Sequence, residues 1–313
     1  MPLFLALLAP ILWGSTYATV GLFLQDQSPV WVAVWRALPA GILLLLIHPA
    51  KPPLPAKKML LLSFCNIAAF FFLLFIAAYR LPGSVAGTLS ATMPLQVMLL
   101  RWLQEGKKPS WWMALLSLAG IAGVGLLLNP SSSPDPIGVA AALAATLLIA
   151  QSTLWMSRWQ YRDALALTAW QLLLGGLMLL PVALVLAGPP SLPRPHAWPG
   201  LVWLVLANSA LAYWCWVRAL DRFGPAVMSM VSLLNPLSAV LLGVMLLPER
   251  LSWPQWLGII VILLAVMLMK IPSPLRRPVR HLAAKDTPPA CAGRKSPGRC
   301  LVRPNGAKSG HRS

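Results

Sequence analysis

Ten apolar runs, each long enough to cross a lipid bilayer as a helix, constrain this chain more than any motif in it. A hydrocarbon core about 30 Å thick needs roughly 20 apolar residues per helix. The runs are 3–24, 30–48, 59–79, 83–103, 111–128, 136–158, 164–187, 198–219, 224–247 and 252–270. Short segments with helix breakers separate most of them: Ser28-Pro29, Pro52-Pro53, Leu81-Pro82-Gly83, Asn129-Pro130, Gly188-Pro189-Pro190 and Gly224-Pro225. Proline lacks an amide donor and glycine carries extra backbone entropy, so both punctuate helices. A sheet is a poor alternative. The runs do not alternate, and backbone in lipid must satisfy its own hydrogen bonds, as a helix does. The expected fold is therefore all-α and integral to a membrane, with ten transmembrane helices. Composition agrees: 58% of residues are hydrophobic and 10% charged, against about 25% charged in soluble domains.

The net charge of +18 does not point to nucleic acid, and no nucleic-acid partner is expected. Ten of the 25 Lys and Arg lie in 271–313, where Asp286 is the lone acid. That stretch is rich in Pro, Gly and Ser and has too few apolar residues for a core, so a disordered basic tail is expected. Lys and Arg near helix ends set orientation. With the N-terminus cytoplasmic, the inner loops hold Lys51, Lys57, Lys58, Arg101, Lys107, Lys108, Arg158, Arg162, Arg218 and Arg222. The outer loops hold Arg80, Arg194 and Arg250. Both termini on the cytoplasmic side is the expectation. Met1 to Leu24 has no positive leader and a long apolar stretch, so it reads as a retained first span rather than a signal peptide. Cys65, Cys215, Cys291 and Cys300 show no metal-ligand spacing and read as free thiols, with no metal and no cofactor expected.

The two halves of the chain repeat each other. Arg80 to Leu95 reads RLPGSVAGTLSATMPL and Arg222 to Leu237 reads RFGPAVMSMVSLLNPL, with Pro94 and Pro236 each 14 residues beyond the arginine. The same offset of 142 sets Asn66 on Asn208. Glu105 and Glu249 each open the loop before the last helix of a half, and an offset of 135 sets Trp35 on Trp170 and Gly41 on Gly176. Two greasy sequences agree by chance more readily at apolar than at polar positions, and the shared order here includes Asn, Arg and Glu. The reading is a duplication into repeats 1–128 and 136–270, followed by the tail 271–313. Five helices per half is an odd number, so the second half is inverted relative to the first. Two inverted five-helix repeats are the architecture of an alternating-access transporter, with its site near mid-membrane between the halves.

Three stretches carry a resemblance to a known family. Leu12 to Thr19 reads LWGSTYAT, Arg36 to Leu46 reads RALPAGILLLL, and Ala219 to Met269 closes the second half with Pro236, Gly243, Glu249 and Gly258. In these the chain resembles the EamA type of the drug/metabolite transporter superfamily over about residues 2–270. The first half departs from the pattern at Ala114, which stands where Gly258 stands in the second. The resemblance implies a ten-helix carrier in the bacterial inner membrane with both termini cytoplasmic. It implies movement of small metabolites, often export of amino acids or related compounds.

Polar side chains inside spans are costly and mark candidate sites. Asn66 and Asn208 either line a central cavity or bond helix to helix. Trp13, Ser15 and Tyr17 wall a cavity, or form an aromatic belt. Gln96, Gln151, Asn235 and Tyr213 face the substrate path or hold helices together. Pro94 and Pro236, read as mid-helix, open a cavity or gate it, or kink a helix without further role. Arg36 reads chiefly as an arginine snorkelling to the outer interface, with binding of an anionic group as the lesser alternative. Amides and aromatic rings suit a neutral or zwitterionic solute. No carboxylate or histidine falls mid-span and no GxxxxGK[ST] or HExxH motif is present, so neither an intramembrane proton relay, ATP drive nor catalysis is legible. The expected function is secondary transport of a small molecule across the bilayer, with no catalytic residues. A membrane scaffold is the alternative, and an integral-membrane enzyme a more distant one. Substitution at Asn66 and Asn208 should damage a carrier far more than a scaffold.

Overall fold

The computed structural model describes residues 2–81, 89–128, 135–159, 161–190, 192–246 and 252–268, and every regular element among them is a helix. Glu249, the tail 271–313 and with it Cys291 and Cys300 lie outside the described residues.

Helix α1 (Pro2–Thr19) continues through a wider π-type turn at Val20–Leu24, and α2 spans Pro29–Ile47. Next, α3 (Ala56–Ser63), a π segment (Phe64–Ala69) and α4 (Phe70–Arg80) form one rod. Helices α5 (Met93–Glu105), α6 (Trp111–Leu128), α7 (Pro136–Arg158) and α8 (Ala164–Ala187) follow. A second rod joins α9 (Trp198–Trp203), a π segment (Leu204–Leu211) and α10 (Ala212–Val231). Helices α11 (Leu234–Leu246) and α12 (Trp253–Met267) end the bundle. Among the described residues, seven helical stretches are long and apolar enough to cross a membrane. Their outward side chains are apolar and bare, as at Val185 (83% exposed) and Leu46 (74%). Such surfaces belong against lipid tails rather than water.

Local chemistry sets the helix ends. Asp135 caps α7 by accepting from the Ile137 amide at 3.1 Å, and Asp163 caps α8 by accepting from Leu165 (2.8 Å) and Ala166 (3.0 Å). These side chains satisfy amides that have no partner within the helix. Inside Ala212–Val231 the backbone leaves the helix at Gly224, where φ is 77°, a conformation that favours glycine. Pro225 then restarts it, so the expected boundary between runs 198–219 and 224–247 falls at this break.

The prolines depart from expectation. Pro94 and Pro236 do not interrupt continuous helices. Each sits in the first turn of a new helix, α5 or α11, just after a turn at 91–92 or 232–233. There the missing amide costs no intrahelical bond. The chain breaks ahead of the proline, not at it.

Small residues allow close helix crossings, as is common in membranes. Helices α2 and α8 pack antiparallel. A Cβ on Gly41 would strike the backbone of Leu173, and one on Gly176 would lie 2.9 Å from the Leu38 amide nitrogen. Helices α6 and α12 cross where a Cβ on Gly123 would sit 3.1 Å from the Gly258 carbonyl oxygen. Gly14 brings α1 against Ser238 and Asn235 of α11.

Candidate functional site

A polar seam runs through the apolar bundle where α1, α2, the two π segments and α8 meet. Ser15 is one hub. Its hydroxyl donates to the Leu12 carbonyl at 2.6 Å and accepts from Trp203 Nε1 (2.9 Å) and Asn208 Nδ2 (3.3 Å). Trp13 Nε1 donates to the Asn208 carbonyl at 3.0 Å. The Trp13 ring lies 5.2 Å from Tyr213, edge to face, and 5.2 Å from Trp216. Trp13, Ser15, Asn208 and Tyr213 are thereby brought into one cluster. Tyr17 is on α1, but its side chain lies outside the described set.

Arg36 does not snorkel to the interface. It turns inward from α2, where Nε donates to Ser209 Oγ at 3.2 Å and Cζ sits 4.9 Å over the Phe71 ring. Ser209 is fully buried, and the Tyr213 phenol is within electrostatic reach of the guanidinium.

On the other π segment, Asn66 Nδ2 donates to Gln171 Oε1 at 2.8 Å, with both residues buried. Gln171 belongs to α8, as Arg36 belongs to α2. The offset of 135 that sets Gly41 on Gly176 also sets Arg36 on Gln171 and Leu38 on Leu173. The sequence reading did not single out Gln171, and that offset is the signal that could have found it. Nothing comparable pointed to Ser209, Ser152 or Thr153, since a hydroxyl in a helix ordinarily bonds its own preceding turn.

Gln96 Nε2 donates weakly to Thr92 Oγ1 (3.3 Å) and to the Leu143 carbonyl of α7 (3.4 Å). The one hydroxyl hydrogen of Ser238 has two acceptors in reach, the Asn235 carbonyl of its own turn at 2.9 Å and the Pro10 carbonyl of α1 at 3.2 Å. Gln96 and Ser238 each lie two residues beyond a proline, Pro94 or Pro236. Among the described residues, five buried polar atoms have no hydrogen-bond partner: Gln96 Oε1, Ser152 Oγ, Thr153 Oγ1, Asn208 Oδ1 and Asn235 Oδ1. Orphans of this kind are rare in proteins and call for an account. Gln151 stands apart from the seam. It pairs with Gln104 at the end of α5, in a rim network with Arg158.

That rim centres on Glu105, which holds Arg158 at 2.9 Å, Lys107 at 3.0 Å and Arg101 at 3.4 Å. Partial burial pushes the Glu105 carboxyl up, but hydrogen bonds from Lys107 and Arg158 and the Arg101 charge outweigh it and hold it below the ordinary glutamate value. At other ends, Arg80 donates to Asp135 at 2.9 Å, chiefly lowering that carboxyl, and His48 meets Asp163 at 2.6 Å.

Apolar helices of membrane-crossing length around a buried polar seam define a polytopic membrane protein. The sequence pattern of the EamA-like transporter family matches residues 1–129 and 136–271, and the chain belongs to that family of membrane transporters. It is 35% identical over 270 residues to Protein PecM of Dickeya dadantii (strain 3937), covering 85% of this chain and 91% of that one. It is 29% identical over 284 residues to the uncharacterized inner membrane transporter YedA of Escherichia coli (strain K12), covering 87% and 91%. A protein of known crystal structure, 17% identical, shares the fold with a TM-score of 0.74 over 85% of this chain and 94% of its own. The resemblance carried by helix 1, helix 2 and the close of the second half is borne out.

Proposed function

We propose that the chain is a secondary carrier of small metabolites, built as two inverted five-helix repeats over 1–128 and 136–270, that works by alternating access. Ten spans leave both termini on the cytoplasmic side of the bacterial inner membrane. The solutes are amino acids or related compounds, moved outward.

The observation that carries this reading is reciprocity across the seam. Gly41 backs onto Leu173 while its counterpart Gly176 backs onto Leu38. Arg36 of α2 bonds the π segment at Ser209, while its counterpart Gln171 of α8 bonds the π segment at Asn66. Gln96 reaches α7, while Ser238, at the same distance beyond its proline, reaches α1. Contacts that exchange the halves in this way are what a two-fold axis in the membrane plane produces. The π segments at Phe64–Ala69 and Leu204–Leu211 stand at matching places as well, and such bulges recur at functional sites. The solute binds among Trp13, Ser15, Asn66, Asn208, Tyr213 and Asn235. The breaks before Pro94 and Pro236 serve as the flexing points.

Counterflow in proteoliposomes tests it, with labelled amino acids, sugars and nucleosides and an Asn66→Ala/Asn208→Ala variant beside the wild type. Saturable exchange of one solute class, reduced at least about tenfold in a folded double variant, is the expected result. Exchange unaffected by the double substitution moves the site elsewhere. Absence of any exchange from correctly inserted protein favours a scaffold.

A further inference from the structure

Arg36 is a cation held inside a membrane protein with no anion beside it among the described residues. The described carboxylates are engaged elsewhere: Asp26 with Arg194, Glu105 with Arg158, Asp135 with Arg80, Asp163 with His48 and Asp221 with Tyr161. Among the described residues its partners are a hydroxyl and an aromatic face. Guanidinium has five N–H donors in a planar fork, and only Nε has an acceptor here, so the two-pronged end that matches a carboxylate is open. An ionised group inside the bilayer is expensive unless it has work to do.

A second observation comes from the next turn of the same seam. Asn208 is completely buried, and its Oδ1 lacks a donor. Its orientation is fixed by Ser15, whose hydroxyl hydrogen is committed to Leu12 and whose oxygen accepts from Trp203 and from Asn208 Nδ2. The amide oxygen is therefore the end left over. Asn208 adjoins Ser209, the residue that holds Arg36, and Tyr213 bridges toward both through Trp13 and the guanidinium.

We propose that Arg36 is the carboxylate-recognition residue of the carrier, and that Asn208 Oδ1 accepts from the ammonium of the same zwitterionic solute. This rests on the carrier reading and adds to it the two residues that recognise the solute. Guanidinium and carboxylate pair as two parallel hydrogen bonds, and a buried acceptor beside them selects an α-amino acid over a simple carboxylic acid or a simple amine. Gln171, which stands at the matching place in the other half, is neutral and already paired with Asn66, so the seam offers one anion site rather than two.

The experiment is competition for amino-acid counterflow in proteoliposomes, using labelled amino acids against three unlabelled sets: the same amino acids, their carboxamides and the matching amines. In the wild type, free amino acids should compete at least about tenfold better than either blocked set, the scale of a charge-assisted hydrogen bond. Arg36→Gln should abolish that preference, and Arg36→Lys, which keeps the charge but not the fork, should restore part of it. Equal competition by carboxamides in the wild type, or a preference surviving in Arg36→Gln, overturns the assignment while leaving the carrier intact. Should Arg36→Gln fail to insert, the wild-type competition and Arg36→Lys still decide. Lack of exchange with any solute removes the carrier reading itself, and this one with it.

Discussion

Each polar atom in the seam is fixed by what its neighbours have already spent. Ser15 uses its one hydrogen and accepts twice, so the exposed Trp203 indole and the buried Asn208 amide both depend on a single oxygen. Removing a buried partner costs roughly 1–3 kcal/mol for each group left unsatisfied. Ser15→Ala should therefore lower the melting temperature in detergent, and Ser15→Thr, which returns the hydroxyl, should recover most of the loss. An unchanged melting curve for Ser15→Ala would mean that Trp203 and Asn208 find other acceptors. Glu105 sets the pH behaviour of the rim. Its carboxyl lies below the ordinary value, so the ion pairs stabilise fully above that value and are lost as pH falls through the lower, folded one. Acidification from about pH 7 to about pH 4 should thus destabilise the wild type more than Glu105→Gln, which cannot titrate. Thermal melts of the two proteins at each pH make the comparison.

Among the elements, the crossing of α2 and α8 is the least forgiving. A Cβ on Gly41 meets Leu173 backbone, which cannot rotate away. On Gly120 it meets the tip of the Leu233 side chain, and on Gly125 it meets nothing. The three alanine variants should therefore rank in melting temperature as Gly125, then Gly120, then Gly41, with the last losing on the order of 1–3 kcal/mol or failing to fold. Similar loss at all three would point to helix propensity rather than packing. This ranking needed coordinates, but the crossing itself was partly legible, because Gly41 and Gly176 fell at the same place in the two halves. Long apolar runs were legible too: 111–128, 136–158 and 164–187 coincide with α6, α7 and α8. Hydrophobicity and capping chemistry are local and survive in a bare sequence. The direction in which Arg36 points is not local. It depends on Ser209 and Phe71, far away in the chain, and on the depth of a crossing that composition cannot give. The breaks before Pro94 and Pro236 were located by their prolines but misplaced by a few residues. The proline marks where a helix starts comfortably, and the turn that ends the previous piece carries no breaker of its own. Gln151 was legible only as a polar residue in a span, and its partner at the rim, Gln104, belongs to a helix that the sequence does not tie to it.

For the whole molecule, inversion makes a demand that no local feature makes. If the halves are related by an axis in the membrane plane, matching loops must open on opposite sides. The loop around Lys57 follows the second helix of the first half, and the loop around Arg194 follows the second helix of the second half. Five crossings separate them in the proposed topology, so one faces the cytoplasm and the other the outside. The charge balance decides which, because lysine and arginine are retained on the cytoplasmic side, and Lys51 lies in the first of these loops with Lys57 and Lys58 in the first turn of α3 at its end. A cysteine placed at position 57 or 194 reports this directly. Cys65 and Cys215 are buried and unpaired, but replacing all four native cysteines, Cys291 and Cys300 included, removes any background. In intact cells a membrane-impermeant maleimide should label Arg194→Cys and spare Lys57→Cys, and permeabilisation should expose the second. Labelling of both from outside would break the odd count of crossings and with it the inverted repeat. Labelling of Lys57→Cys alone would keep the inversion but reverse the molecule in the membrane, placing the basic tail outside and exchanging the faces toward which each gate opens.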